Sequence, residues 1–268
     1  LTSFASSGSA RLAYDVEGDG PAVLLAHAGV NDRRSWRALV DRLSPNRRTV
    51  AFDRRGYGDT TYEPEAFSTV DDALAVLDDA GVDAPVALVG CSMGGRLSLD
   101  LTLEHAERVD RLVLIGAACR GAPEPHEYPE SYRELGHAIE AADEAGDLDT
   151  VNQLEAWLWL DGPMAREHRV SGAVRELFLD MNGRALAAPD PGEEADLPSA
   201  WDRLDQITVP TLVLVGELDL EDVVDTAEGL AHRIAGARYE MLYDTAHLPH
   251  LEAHPRCLEA VTDFLTAP

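Results

Sequence analysis

The chain has 268 residues, 45% hydrophobic and 26% charged, enough for one large domain or one domain with an insertion, and no apolar run approaches bilayer length. Its formal net charge of −27 disfavours nucleic acid and anionic membranes as partners, because their phosphates would be repelled. All 22 basic residues are arginine, which excludes a Schiff-base or pyridoxal lysine, a Ser–Lys dyad and a P-loop lysine.

In chain order, the loose alternation from Phe4 to Val16 around a Ser-Gly turn predicts an antiparallel hairpin. Ala22–His27 reads as a strand buried on both faces. Ser35 is the expected cap of a helix from Trp36 to Leu43. Arg48–Asp53 is the next strand, followed by the loop Arg54–Asp59. Thr69–Ala80 has helical spacing, with Asp71 and Asp72 where they suit the helix dipole. Val86–Gly90 and Arg111–Gly116 are strands, separated by a helix from Met93 to Glu104. Strands alternating with helices of this length predict an α/β fold, a mostly parallel central sheet with helices on both faces.

That rhythm stops after Cys119. Residues 120–200 are acidic and helical in pattern, with expected helices over Tyr132–Ala145, Leu148–Leu160 and Ala165–Met181. Pro123, Pro125 and Pro129 mark the entry, and Ala187–Gly192 and Pro198 the exit. The rhythm returns with a strand over Val209–Gly216, a helix over Val223–Ile234, a strand over Arg238–Leu242 and a closing helix over Pro255–Leu265. The expected organisation is a core formed by 1–119 and 201–268, interrupted by a helical cap, 120–200.

Gly90-Cys91-Ser92-Met93-Gly94 sits between an expected strand and an expected helix. Gly-x-Ser-x-Gly in that setting is a nucleophile elbow: the glycines permit a tight strand–helix turn that lifts the Ser92 hydroxyl above the sheet. A serine hydroxyl is a weak nucleophile and needs a base, and the base needs an orienting acid. His247 follows the last expected strand, with His250 and His254 as nearby competitors; Asp219 closes a late strand, with Glu217, Glu221 and Asp222 close by. Cys91, buried in the strand packing, is a poor rival nucleophile.

His27-Ala-Gly-Val30, Ser92, Gly216-Glu-Leu-Asp219 and Thr245-Ala-His-Leu-Pro249 thus fall in the order Ser, Asp, His. Over nearly its whole length the chain resembles the α/β-hydrolase superfamily. It looks most like the soluble, capped branch of small esterases and enol-lactonases, with Asp53-Arg-Arg-Gly-Tyr-Gly58 matching that branch's Asp-x-Arg-Gly-x-Gly loop. The resemblance implies a triad of Ser92, Asp219 and His247. It implies an oxyanion hole from the N–H groups of Met93 and Gly29, with Val30 as the alternative if the loop slips by one. The sequence departs from the family at Ala28, Cys91 and Ala246, where Gly, His and Gly are usual; none of these removes a reacting group.

The expected activity is cofactor-independent hydrolysis of a small carboxylic ester or lactone through an acyl-enzyme on Ser92. Carbon–carbon bond hydrolysis and cofactor-free perhydrolysis use the same triad. A ligand-binding receptor on the same fold is the non-enzymatic alternative. Trp157 and Trp159 from the insertion, with Leu248 and His27, are candidates for the pocket wall, although Trp157 and Trp159 also suit a cap core and His27 a structural hydrogen bond. Asp53-Arg54-Arg55 is expected to be an ion-pairing loop. His126, Glu127, His137 and His168 show no converging metal-ligand spacing, so no metal is expected. Three cysteines (Cys91, Cys119 and Cys257) and no signal-peptide pattern predict a reducing, cytoplasmic compartment. The expected partner is the small ester or lactone substrate, with a homodimer as the one assembly considered.

Overall fold

Alternation along the central strands sorts their side chains to two faces. In β3 (Ala22–Ala26), Val23 and Leu25 enter one core layer, and Leu24 and Ala26 enter the other. In β5 (Val86–Cys91), Leu88 joins the second layer, while Ala87, Val89 and Cys91 join the first. A strand with apolar residues on both faces must be covered on both. The computed structural model, which describes residues 1–123 and 129–267, shows how. Eight strands form one sheet in the order β1-β2-β4-β3-β5-β6-β7-β8. The hairpin of β1 (Ser3–Ser7) and β2 (Ala10–Glu17) is antiparallel, and β2 joins β4 (Arg48–Phe52) antiparallel. From β4 through β3, β5, β6 (Val109–Ile115) and β7 (Thr211–Gly216) to β8 (Arg238–Leu242), every pairing is parallel. Helices α1 (Arg37–Leu43) and α8 (Pro255–Thr266) cover one face. Helices α2 (Thr69–Asp79), α3 (Met93–Glu104) and α7 (Glu221–Arg233) cover the other. No described helix is long and apolar enough to cross a membrane.

Between β6 and β7 the chain leaves the sheet for helices α4 (Glu130–Glu144), α5 (Leu148–Glu155) and α6 (Ala173–Leu186). Two expectations are corrected. First, α1 is entered through a 3₁₀ turn, Arg33–Trp36, whose cap is Asp32, accepting from the Arg34 N–H, and not Ser35. Ser35 instead donates its hydroxyl to the Asp32 carbonyl. Second, the helix expected over Ala165–Met181 begins only at Ala173. A π-helical stretch, Ala156–Asp161, ends at Gly162, and the loop beyond it winds around the buried Asp161 carboxylate. That carboxylate accepts from the N–H groups of His168 and Val170 and from Arg175. A side-chain acceptor thus replaces the helical carbonyls. Pro125, His126 and Glu127 lie outside the described residues.

Candidate active site

Four loops leave the carboxyl ends of parallel strands at one edge of the sheet, where open α/β sheets present their binding crevices. After β5 the chain turns sharply. Ser92 has φ 52° and ψ −117°, a left-handed conformation that a residue with a side chain adopts only under constraint. The constraint is visible at Gly94, where a Cβ would lie 2.0 Å from the Ala26 carbonyl oxygen. Helix α3 therefore starts against β3, and only glycine permits it. Ser92 occupies the N-cap position of α3, yet its side chain makes no capping bond. The hydroxyl remains half-buried at the cavity wall. The Met93 N–H, at the first helical position, has no carbonyl four residues back to bind.

The loop after β3 lies against this helix start. A Cβ on Gly29 would stand 3.3 Å from the Met93 Cγ. Gly29, Val30, Ser92 and Met93 line one cavity of about 590 Å³ together with His247, Trp159, Gly116 and Cys119. Gly29 and Val30 both line that cavity.

His247 follows β8, and Asp219 follows β7. The Nδ1 of His247 lies 2.7 Å from Oδ2 of Asp219, whose side chain is fully buried. Asp219 Oδ1 accepts from the Leu220 N–H, so both of its oxygens are engaged. The pair leaves no room at Gly116, just past the end of β6. A Cβ there would meet His247 Nδ1 at 3.1 Å and Asp219 Oδ2 at 3.2 Å, and φ is 48°. Sequence reading did not single out Gly116. On the other side, the ring of Trp159 packs on that of His247 at 4.7 Å. Trp159 is thus at the cavity, as expected.

Three other pocket candidates are not. His27 is fully buried: its Nε2 accepts from the Arg54 N–H, and its Nδ1 lies 2.7 Å from the Ala28 carbonyl. Burial, then the nearby Arg54 charge, holds its imidazole well below the usual histidine range. Leu248 is packed in the core beside α8. Trp157 faces Leu135 and Leu220, and its indole N–H donates to the Ala165 carbonyl. Trp159, two residues on, touches the same cluster but also reaches the cavity and the His247 ring.

The nearby competitors sort the same way. His250 stacks on Trp36 at 4.0 Å, and burial lowers it to about 3. The Cys91 thiol donates to the His247 carbonyl at 3.5 Å, and burial raises it well above the usual range. A buried, protonated thiol is inert. In the loop after β4, Asp53 pairs with Arg33, and Arg55 pairs with Asp72 and Glu65. Arg54 is the exception, lying instead over the Tyr57 ring. Arg169 ties the inserted helices to the His247 loop. It donates to the carbonyls of Leu160, Asp161 and Asp244 and to Glu252, which also accepts from Thr245. This clamp joins residues far apart in the chain, so no local pattern announces it.

The profile of the alpha/beta hydrolase family matches residues 23–260. The chain belongs to that family. Among curated relatives, 2-hydroxymuconate semialdehyde hydrolase of Pseudomonas sp. (strain CF600) is 29% identical over 98% of this chain and 90% of its own length. A thermophilic esterase from Thermogutta terrifontis superposes with a TM-score of 0.77 at 25% identity, covering 99% of this chain and 97% of that one. The enol-lactonase from Burkholderia xenovorans LB400 superposes with a TM-score of 0.76 at 25% identity, covering 98% and 100%. This alpha/beta hydrolase therefore has esterase and lactonase neighbours across its full length.

Proposed function

We propose that this alpha/beta hydrolase cleaves a small carboxylic ester or lactone through an acyl-enzyme on Ser92. One observation carries the proposal. An uncapped serine on a strained turn shares a cavity with an imidazole whose far nitrogen is held by a buried carboxylate. In the first half-reaction His247 takes the Ser92 proton as the hydroxyl attacks the carbonyl carbon. Asp219 holds the ring in the tautomer with its proton on Nδ1 and stabilises the cation that forms. The oxyanion is held by the N–H groups of Met93 and Gly29, with Val30 as the alternative to Gly29; each such donor contributes about 3–4 kcal/mol to the transition state. His247 then protonates the departing alkoxide, which for a lactone stays tethered to the acyl group. In the second half-reaction water, deprotonated by His247, releases the acid. No step uses a metal or an organic cofactor. Residues 120–200 act as the cap that shapes the acyl pocket, through Trp159.

Labelling of the purified protein by a fluorophosphonate probe, lost in Ser92→Ala, tests the nucleophile. A panel of p-nitrophenyl esters of increasing chain length beside lactones tests the reaction. Absence of labelling together with no turnover of either class refutes the proposal.

A second reading has support of its own. The curated relative above is named for hydrolysis of 2-hydroxymuconate semialdehyde, which contains no ester. Turnover of a vinylogous dicarbonyl substrate, with no turnover of simple esters, would favour carbon–carbon bond hydrolysis by the same residues.

A further inference from the structure

The cavity beside Ser92 carries two carboxylates that the hydrolytic steps do not use. Glu155 ends α5, four residues before Trp159, and Asp222 lies in the first turn of α7, three residues after Asp219. Among the described residues no arginine lines this cavity, and the chain has no lysine. Among the described residues, the other ionisable groups on its wall are His247 and Cys119, whose thiol burial pushes up to about 12, so it is uncharged in neutral solution.

A first-turn aspartate ordinarily faces water and favours the helix dipole. Asp222 departs from that pattern: its Oδ1 is shut off from solvent and has no hydrogen-bond partner. Burial raises its carboxyl above the usual range and the Asp219 charge adds to the rise, while the backbone N–H groups of Asp222 and Val223, and then His247, oppose it. Glu155 is raised as well, first by burial and then by Asp143, although the Asn182 amide donates to its Oε2 at 2.6 Å. Charged carboxylates at a partly desolvated wall are costly, and a cation held in the cavity would offset that cost through space. A ligand carboxylate in the same place would meet two like charges where water cannot screen them fully.

Building on the hydrolase proposal above, we infer that Glu155 and Asp222 set the charge selectivity of this site. It takes esters whose remote end is cationic and rejects esters that end in a carboxylate. Both residues are specificity-determining groups, brought to one cavity by two different segments.

The test has a kinetic and a binding arm, both on the full chain. The kinetic arm compares kcat/KM for three p-nitrophenyl esters of matched acyl length, ending in methyl, trimethylammonium or carboxylate. The binding arm measures, by calorimetry on Ser92→Ala, the affinities of hexyltrimethylammonium and hexanoate. The cationic member is expected to be favoured over the anionic one by about tenfold or more in both arms. That ratio should fall toward one in the Glu155→Gln/Asp222→Asn double variant. The single variants, each expected to lower the ratio in part, serve if the double variant folds poorly. Equal values for cationic and anionic members in both arms overturn the inference and leave hydrolysis of the neutral ester standing. A preference unchanged in the variants but erased by about 1 M salt, where screening reaches about 3 Å, would belong to the acidic surface as a whole and would also overturn it. Failure to hydrolyse any of the esters counts against the hydrolase proposal, and the calorimetric pair still decides the charge preference.

Discussion

One wall of the cavity is made by strand ends and the other by the helices between β6 and β7, and they are held in different ways. The first wall is fixed by close approach at the strand ends. Ser92 turns on a strained backbone, Gly94 lies against the Ala26 carbonyl, and Gly116 leaves room for the His247–Asp219 pair. The second wall is fixed by side chains. Asp161 holds a loop through two N–H groups and Arg175, and Arg169 and Glu252 clamp that loop to the one bearing His247. The candidate reacting groups belong chiefly to the first wall, while Trp159 and Glu155 belong to the second. A site divided in this way can alter its substrate range without moving its reacting groups.

The sharpest way to break this contrast is at Asp219. Asp219→Asn keeps an acceptor for the Leu220 N–H but no longer favours the required tautomer of His247. A fall in kcat of about 10⁴-fold is expected, with the urea midpoint nearly unchanged. A loss below tenfold in an ester assay would remove Asp219 from the mechanism. Asp161→Asn strikes the second wall. It leaves Arg175 buried without its counter-charge, for a destabilisation of about 3–5 kcal/mol read from urea unfolding. The folded fraction should still label at Ser92 while its preference among acyl chain lengths broadens. If labelling and stability are lost in proportion, the two walls are not separable.

Gly94→Ala tests the first wall by overpacking. Its Cβ would press on the Ala26 carbonyl, at a cost of about 1–3 kcal/mol, and here activity should fall further than stability because Ser92 shifts with the turn. Specific activity per labelled Ser92, set against the unfolding midpoint, measures this.

The smallest effect concerns His250, behind the first wall. Its imidazole titrates at about 3 in the folded protein, against an ordinary 6.5, because it is buried. Between those values the unfolded chain binds the proton more readily. Acid therefore lowers stability as pH falls below 6.5, by about 1.4 kcal/mol at pH 5.5 from this group. His250→Phe keeps the stacking on Trp36 and removes two ring nitrogens that have no partner among the described residues. The variant should gain on the parent protein as pH is lowered from 7.5 to 5.5. An equal difference at both values would show that His250 does not carry the acid sensitivity.

Much of the first wall was legible because its signals are local. The apolar runs of β3, β5, β6 and β7 mark doubly covered strands, and Gly90 to Gly94 marks the turn between β5 and α3. Asp219 and His247 stand at strand ends, and the family resemblance picked them from the carboxylates and histidines close by. The second wall gave weaker signals. Residues Ala165 to Gly172 have helical composition, yet left-handed backbone at His168 and Gly172 and the pull of Asp161 keep them out of α6. Trp157 and Trp159 are chemically equivalent in the sequence; both pack against the cluster around Leu135, and only Trp159 also reaches His247 and the cavity.

By itself, then, the sequence determined the α/β alternation, the strained serine turn, the order of the candidate reacting groups and the exclusion of lysine chemistry. Each of these depends on residue type or on spacing within one element, where backbone sterics and side-chain period act directly. Only the tertiary structure decided that Gly116 makes room for the His247–Asp219 pair and that Arg169 and Glu252 tie two distant loops. It alone decided that Glu155 and Asp222, from opposite walls, line the same cavity as Ser92. Those are meetings of segments well separated along the chain. They arise because burial of two apolar sheet faces brings the segments together, not because any one segment encodes the contact.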